Sequence, residues 1–269
     1  MLVNGKLGNL ISIRDRGLLY GDGVFRTLRA SAGQAWHWPL HYQKLRHDCT
    51  ALGIACPDFV LLTAELNGLL DRHPDGALKL VVTRGQGTRG YTPPALVEPT
   101  HLWDVSPLPD YPSDWAINGI KARLCQLRLS QQPRLAGIKH LNRLENVLAA
   151  GEWNDAGIAE GLLMDEAGNV IAGTRSNLFV VTQGKLITPE LSRCGVAGVQ
   201  RDRVLALARH HNMPLQVRDI SLDEVLHADE LFLVNSIMGL WPLRELEKSR
   251  WTRFPIATKI RQSLEGNDS

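Results

Sequence analysis

The chain has 269 residues, of which 44% are hydrophobic and 22% charged, and a formal net charge of +2. This length carries one large domain or two modest ones with a sizeable core, and the composition is that of an ordinary globular protein. Near-neutral charge gives no pull toward nucleic acid or an acidic membrane surface, and no apolar run approaches membrane-spanning length.

The opening MLVNGKLGNL lacks the apolar run and basic flank of a signal peptide, and Cys49, Cys56, Cys125 and Cys194 form no CxxC pair. A reduced, cytoplasmic setting is expected, since a chain this long needs no disulfides to fold. The first elements are short strands and turns. VNGK carries an Asn-Gly turn signal, and VFRTLRASAGQAW reads as strand, turn and second strand. Pro39 opens a helix whose apolar positions Leu45, Cys49 and Leu52 share a face. A second helix is expected from Asp58, with Leu62, Leu66, Leu69 and Leu70 inward, and ALKLVVTRG reads as a buried strand.

The proline-rich SPLPDYPSDW separates two strand-rich regions. It predicts a small N-terminal domain over residues 1–107, a linker over 108–115 and a larger domain over 116–269. Beyond it lies the strand KARLCQLRL, then LAGIKHLNRLENVL, where Leu141, Leu144 and Leu148 recur at helical spacing and predict a helix with Lys139 at its start. The strand GLLMD, a turn at EAGN and the strand pair LFVVT and KLITP around Gln183-Gly184 follow. Helices from Val199 and near Asp223, and the strand ELFLVN, complete the pattern. Mixed strands and helices in two lobes predict an α/β (α+β) fold.

GQGTRG, Gly85 to Gly90, fits G-x-G-x-x-G after a strand, with Asp104 near where a ribose-binding acid would stand. A dinucleotide site needs a helix opening at the last glycines, and the YTPP that follows puts two prolines there. The segment therefore reads as a flexible loop carrying Arg84, Arg89 and Tyr91. No carboxylate completes a ligand set around His37, His41 and His47, so no metal is expected. Ser176, in GTRSNLF, lacks the nucleophile elbow.

Two further segments admit two readings each. In GVAGVQRDRVLALARHH, Gly195 and Gly198 precede a helix, as a plain turn or as a phosphate cup of free N–H groups at a helix N-terminus. Lys139 is either a solvated lysine or an amine kept nucleophilic by partial desolvation and able to form a Schiff base.

AGIKHLNRLENVL, GTRSNLF, CGVAGVQR, DRGLLYGDGVFRTLR and TRGQGTRGY together make the chain resemble, from Val3 to Pro242, the fold-type IV pyridoxal phosphate enzymes. Among these it is most similar to the 4-amino-4-deoxychorismate lyases, which form p-aminobenzoate and pyruvate for folate synthesis. The resemblance implies a homodimer acting on a small molecule with pyridoxal 5'-phosphate as cofactor. It implies that Lys139 holds the cofactor and removes the substrate proton. Gly198, Val199 and Gln200 would form the phosphate cup, Asn235 and Ser236 a second phosphate-side segment, and Asn177 would line the cofactor. Arg89 and Tyr91 would face the substrate's carboxylates.

Two positions depart from the family pattern. Where H-x-x-R-L supplies a phosphate-binding arginine, HYQKL offers Lys44, a point charge without the bidentate fork. Where E-G-x-x-S-N supplies the glutamate that keeps the pyridine nitrogen protonated, Ala172 stands, with Arg175 three residues on. Losing that carboxylate weakens the ring as an electron sink. This counts against transamination more than against an elimination that ends in an aromatic ring. A D-amino acid or branched-chain aminotransferase, and a non-catalytic or cofactor-independent relative, are the alternatives.

Overall fold

The structure, a computed structural model, describes residues 1–266. It divides into two compact units, residues 1–109 with 138–142, and residues 110–137 with those from Arg143 onward.

In the first unit, β1 (Leu2–Val3) and β2 (Lys6–Leu7) close over Asn4 and Gly5, both at positive φ (48° and 75°), as an Asn-Gly turn requires. After α1 (Arg16–Tyr20), the strand β3 (Gly23–Ser31) turns into β4 (Gln34–Ala35). Helix α2 (Trp38–Leu52) carries Pro39 in its first turn, and the Asp58 carboxylate caps α3 (Phe59–Leu70) by accepting from Val60 and Leu61 N–H. With β5 (Gly76–Thr83) and β6 (Thr100–Ser106) the sheet is antiparallel, in the order β2-β1-β6-β5-β3-β4. Val24, Leu28 and Ala30 alternate inward along β3 and share a core with Leu45 and Cys49 of α2 and Leu62, Leu66 and Leu69 of α3.

The helix expected around Lys139 is not formed there. Residues 138–142 run extended along the start of β3, with Val24 opposite His140. Phe25 N–H donates to the Lys139 carbonyl and Leu141 N–H to the Gly23 carbonyl, each at 3.0 Å. The edge of β3 explains this, because β4 pairs only with Ala30 and Ser31 and leaves the backbone of Gly23 to Phe25 to be satisfied by another segment. Gly137, at φ 77°, precedes the extended segment. Helix α5 starts only at Leu144 and runs to Ala150, and Leu144 and Leu148, expected inward, are exposed.

In the second unit, α4 (Trp115–Asn118) leads into β7 (Ile120–Leu129), and α5 (Leu144–Ala150) precedes β8 (Ile158–Asp165), β9 (Val170–Gly173), β10 (Asn177–Thr182) and β11 (Lys185–Pro189). Then come α6 (Val199–His210), β12 (Leu215–Arg218), α7 (Leu222–Leu226), β13 (Glu230–Asn235), β14 (Gly239–Leu246), β15 (Ser249–Arg250) and α8 (Pro255–Gly266). The sheet order is β12-β11-β10-β13-β14-β7-β8-β9, and β9 returns to β10 through Ala172 opposite Asn177, so six of these strands form a closed ring. β7 runs parallel to both β8 and β14, while β10 and β13 are antiparallel and bring Phe179 and Phe232 into a stack at 5.1 Å. The fold is the mixed α/β type that the sequence predicts. No helix among the described residues is long and apolar enough to cross a membrane.

Glu230 ties α8 to the ring. It is buried, burial pushes its carboxyl pKa up, and its oxygens accept from Ile256 and Ala257 N–H at 3.0 Å each. Replacing it with alanine strands two donors at the start of the helix, so Glu230→Ala is expected to cost about 1–3 kcal/mol. Hydrogen exchange should then speed up in residues 255–266 before the rest of the unit, and uniform protection would contradict this account.

Candidate active site

Lys139 is half-buried and anchored on both sides of its backbone. Its N–H donates to Asp48 Oδ2 at 2.9 Å, while its carbonyl takes the Phe25 N–H. Its amine stands 4.4 Å from the centroid of the Phe25 ring. Asp48 lies on the inward face of α2, 1% exposed, and the buried Arg26 of β3 pairs with it while donating to the Lys44 carbonyl at 3.2 Å. His47 Nδ1 reaches the other Asp48 oxygen at 3.1 Å. Half-buried Lys44 thus sits on the helical turn that the ion pair fixes, and Lys139 presents its amine against an aromatic face that excludes water from one side.

The loop bearing Arg89 and Tyr91 is fastened by an arginine. Arg16 is 3% exposed, and it donates to Asp22 Oδ2 at 2.8 Å and to the carbonyls of Gly90 at 3.1 Å and Tyr91 at 2.8 Å. Arg84 binds Asp22 in a fork at 2.8 and 3.1 Å and reaches the Leu52 carbonyl at 2.7 Å. A Cβ on Gly87 would stand 2.9 Å from Arg16 Cδ, so a larger residue there would push against the arginine stem. Tyr91 is exposed but meets Tyr20 edge to face at 5.3 Å, and Arg89 is exposed. No helix follows the glycines, so the loop has none of the geometry of a dinucleotide site.

In the second unit the residues implied for the phosphate side converge. Gly198 caps α6 without a capping side chain, and its N–H donates to Asn177 Oδ1 at 3.1 Å. Asn177 Nδ2 donates to the Val196 carbonyl at 2.8 Å, and a Cβ on Gly198 would lie 2.6 Å from Asn177 Oδ1, so any larger residue would have to displace that side chain. The first N–H groups of a helix, here those of Val199, Gln200 and Arg201, have no intrahelical acceptor, and they lie at the positive end of the helix dipole. A phosphate dianion suits this end, whose N-cap residue, Gly198, brings no capping side chain. Asn177 lies opposite Val234 on β13, and Asn235 next to it accepts from Ile237 and Met238 N–H at 2.8 Å each, shaping the turn that carries half-buried Ser236.

Ala172 is buried in an apolar cluster with Leu163, Leu191, Cys125 and Cys194. The carboxylate near this segment is Glu160, fully buried, which accepts from the N–H groups of Gly161 and Thr174 at 3.0 and 3.2 Å, from Ser176 Oγ at 2.9 Å and from Thr174 Oγ1. Arg175 is spent on the same segment, donating to the Ala159 carbonyl at 2.7 Å and lying 3.8 Å from Glu160.

Sequence reasoning missed Asp48, Arg26, Arg16, Asp22 and Glu160. Two of them had a visible signal, since Arg26 falls in the inward row of β3 and Asp48 on the apolar face of α2 with Leu45, Cys49 and Leu52. Of the histidines, His37 and His41 are four apart, but His37 precedes α2 in a left-handed conformation (φ 57°), so they do not share a helix face. No group of three His, Cys, Asp or Glu among the described residues could hold a metal ion.

Burial alone would raise the Asp22 carboxyl, yet the hydrogen bonds and charges of Arg84 and Arg16 outweigh it and hold it below the ordinary value of 3.8. A lowered folded pKa adds stability that is complete above pH 3.8 and is lost as pH falls through the folded value. Asp22→Asn is expected to lower stability at pH 7 by about 1–3 kcal/mol and to flatten the acid limb of the stability curve below pH 3.8. Denaturant melts across pH check this, and an unchanged acid limb would remove Asp22 from the account.

The amino-transferase class IV family matches residues 23–246. The aminodeoxychorismate lyase of Vibrio harveyi is 34% identical over 98% of this chain and 98% of its own. A putative branched-chain-amino-acid aminotransferase of Methanocaldococcus jannaschii is 33% identical over 88% of this chain and 83% of its own. Among solved structures, the 4-amino-4-deoxychorismate lyase from Pseudomonas aeruginosa has a TM-score of 0.95 and 44% identity, covering 99% of this chain and 98% of that one. The family match and these relatives agree with the fold, and the chain belongs to the amino-transferase class IV family of pyridoxal phosphate enzymes.

Proposed function

We propose that this protein is a pyridoxal-phosphate-dependent lyase that converts 4-amino-4-deoxychorismate to p-aminobenzoate and pyruvate in folate biosynthesis. The likeness to the Pseudomonas aeruginosa lyase along 99% of the chain is the observation that carries the reading. When bound, the cofactor supplies an electron-withdrawing ring to an amine joined to it. The residues of this chain do the rest. Lys139 is the residue that would hold the cofactor, through its side-chain amine. In its neutral form that amine takes the proton from the ring carbon bearing the substrate's amino group. The enolpyruvyl group leaves from the neighbouring carbon and becomes pyruvate, and the remaining ring is p-aminobenzoate. Atoms balance without a second substrate.

The N–H groups of Val199 and Gln200 and the Gly198 turn receive the phosphate, with Asn177 fixing that turn and Asn235 presenting Ser236. The resemblance assigns Lys44 a phosphate contact as a point charge. Arg89 and Tyr91, on the loop that Arg16 fastens, meet the substrate's carboxylates. Ala172 leaves the pyridine nitrogen without the family's glutamate, and Glu160 already accepts from four donors in its own segment. An elimination driven by formation of an aromatic ring tolerates that loss better than transamination does. The resemblance also implies a cytoplasmic homodimer, which sedimentation of the purified protein tests for the oligomeric part. The second reading, an aminotransferase, is favoured by the Methanocaldococcus jannaschii relative.

With pyridoxal phosphate present, the wild-type protein is expected to release p-aminobenzoate and pyruvate in equal amounts, and borohydride should fix a pyridoxyl group on Lys139. Lys139→Ala should lose both. Arg89→Ala should keep the label and raise KM about 10- to 100-fold, as loss of a charge-assisted hydrogen bond would. Amino transfer from D-alanine or a branched-chain amino acid, without p-aminobenzoate, would put the second reading first.

A further inference from the structure

The chemistry proposed for Lys139 makes no use of the buried ion pair beneath it. Asp48 and Arg26, 1% and 2% exposed, come from different elements and meet where the Lys139 N–H is held. We propose that Arg26 and Asp48 are a charge-compensated positioning pair, which fixes the backbone of Lys139 through Asp48 and uses Arg26 to keep that carboxylate from holding the lysine amine as ammonium. The inference rests on the reading of Lys139 as the reactive amine.

A carboxylate with one oxygen 2.9 Å from the Lys139 N–H lies within the span of one lysine side chain from the amine. Left alone in a poorly solvated position it would favour the protonated amine, which can neither attack a carbonyl carbon nor accept a proton. Arg26 cancels the charge and leaves the hydrogen bond intact. Other charged or titratable groups face Lys139 within its unit. Lys79 of β5 stands 5.3 Å from the centroid of the same Phe25 ring, with Asp104 opposite it in register on β6. Lys44 and His47 lie on α2, and His140 follows in the chain. Lys79 is exposed and His47 is 71% exposed, so both are screened, whereas the Arg26–Asp48 pair, like His140, is buried and acts on the amine with little screening.

Opposite effects of the two single substitutions separate this role from a merely structural one. Arg26→Gln leaves an uncompensated carboxylate and should raise the pH at which Lys139 becomes reactive. Asp48→Asn retains an oxygen to accept the Lys139 N–H but leaves an uncompensated guanidinium, and should lower it. Each shift should be on the order of one pH unit for a charge at roughly 8 Å and an effective dielectric constant of about 20. The double variant should return close to wild type.

The measurement is competitive acetylation of the full-length, cofactor-free protein with acetic anhydride across pH, followed by peptide mapping of Lys139. The pH midpoint of the visible absorbance after loading with pyridoxal phosphate gives a second readout. Shifts of both singles in one direction, or no shift, would overturn the proposal. Thermal melts accompany each variant, and if a single variant does not fold, Arg26→Lys with Asp48→Asn keeps an unbalanced cation in a hydrogen-bonded pair. That protein must still show a lowered midpoint, and an unchanged one would also overturn the proposal. If borohydride labels no Lys139 in the wild type, the lyase reading falls, while the acetylation midpoints still decide the role of the pair.

Discussion

The first unit depends on the pairing of residues 138–142 with the opening of β3. β3 is paired from Gly23 to Ala30 with β5 on one edge, but on the other edge β4 covers only its last two residues. Its first residues would carry unpaired backbone groups if a segment from more than a hundred positions away did not supply partners. This pairing places Lys139 in the same row as Phe25 and sets His140 opposite Val24. The side-chain direction of the lysine follows from strand alternation, which leaves little freedom for its Cβ. A helix at this position would have rotated each successive side chain by about 100° and given Lys139 no such fixed neighbour.

Charged groups inside the first unit serve the two segments that bear Lys139 and Arg89. Asp48 with Arg26 holds the former, and Asp22 with Arg16 and Arg84 holds the latter. Buried pairs of this kind add little net stability compared with apolar packing, but removing one partner is costly because the other charge is stranded. Their effect is geometric. Each carboxylate accepts from groups on separate elements, so its position is overdetermined, and the backbone it touches is held at a defined place. Asparagine or glutamine could replace one hydrogen bond in either network but could not balance the charge.

The sequence made the regular elements legible and the site geometry only partly so. Asn4-Gly5, Pro39, Asp58 and Gln183-Gly184 lie where local backbone chemistry marks turns and caps, and each marks one in the structure. The Leu141, Leu144 and Leu148 spacing misled because a periodic pattern records only local neighbours, whereas the partner of this segment is β3. Leu144 and Leu148 do lie on α5, but on its exposed side. Gly198 was legible because a glycine just before a helix is a local mark, although the contact it makes, with Asn177, is not. Arg16 was not, because its role depends on a loop over seventy positions away, and an arginine in DRGLLYGDG carries no mark of burial.

Ala172 has a structural as well as a chemical side. A segment that loses a carboxylate can lose its order, yet residues 172–177 do not depend on one at position 172. Glu160 gathers Thr174 and Ser176 from beneath, Asn146 donates to the Thr174 carbonyl at 2.8 Å, and Asn177 is fixed by strand pairing and by Gly198. An alanine here packs in the apolar cluster without disturbing those bonds. This segment can therefore keep its shape without a carboxylate at position 172. A chemistry that needs a strong electron sink would be selected against that alanine, whereas one drawn forward by formation of an aromatic product would not. This asymmetry is the physical ground on which elimination rather than amino transfer is the proposed reaction.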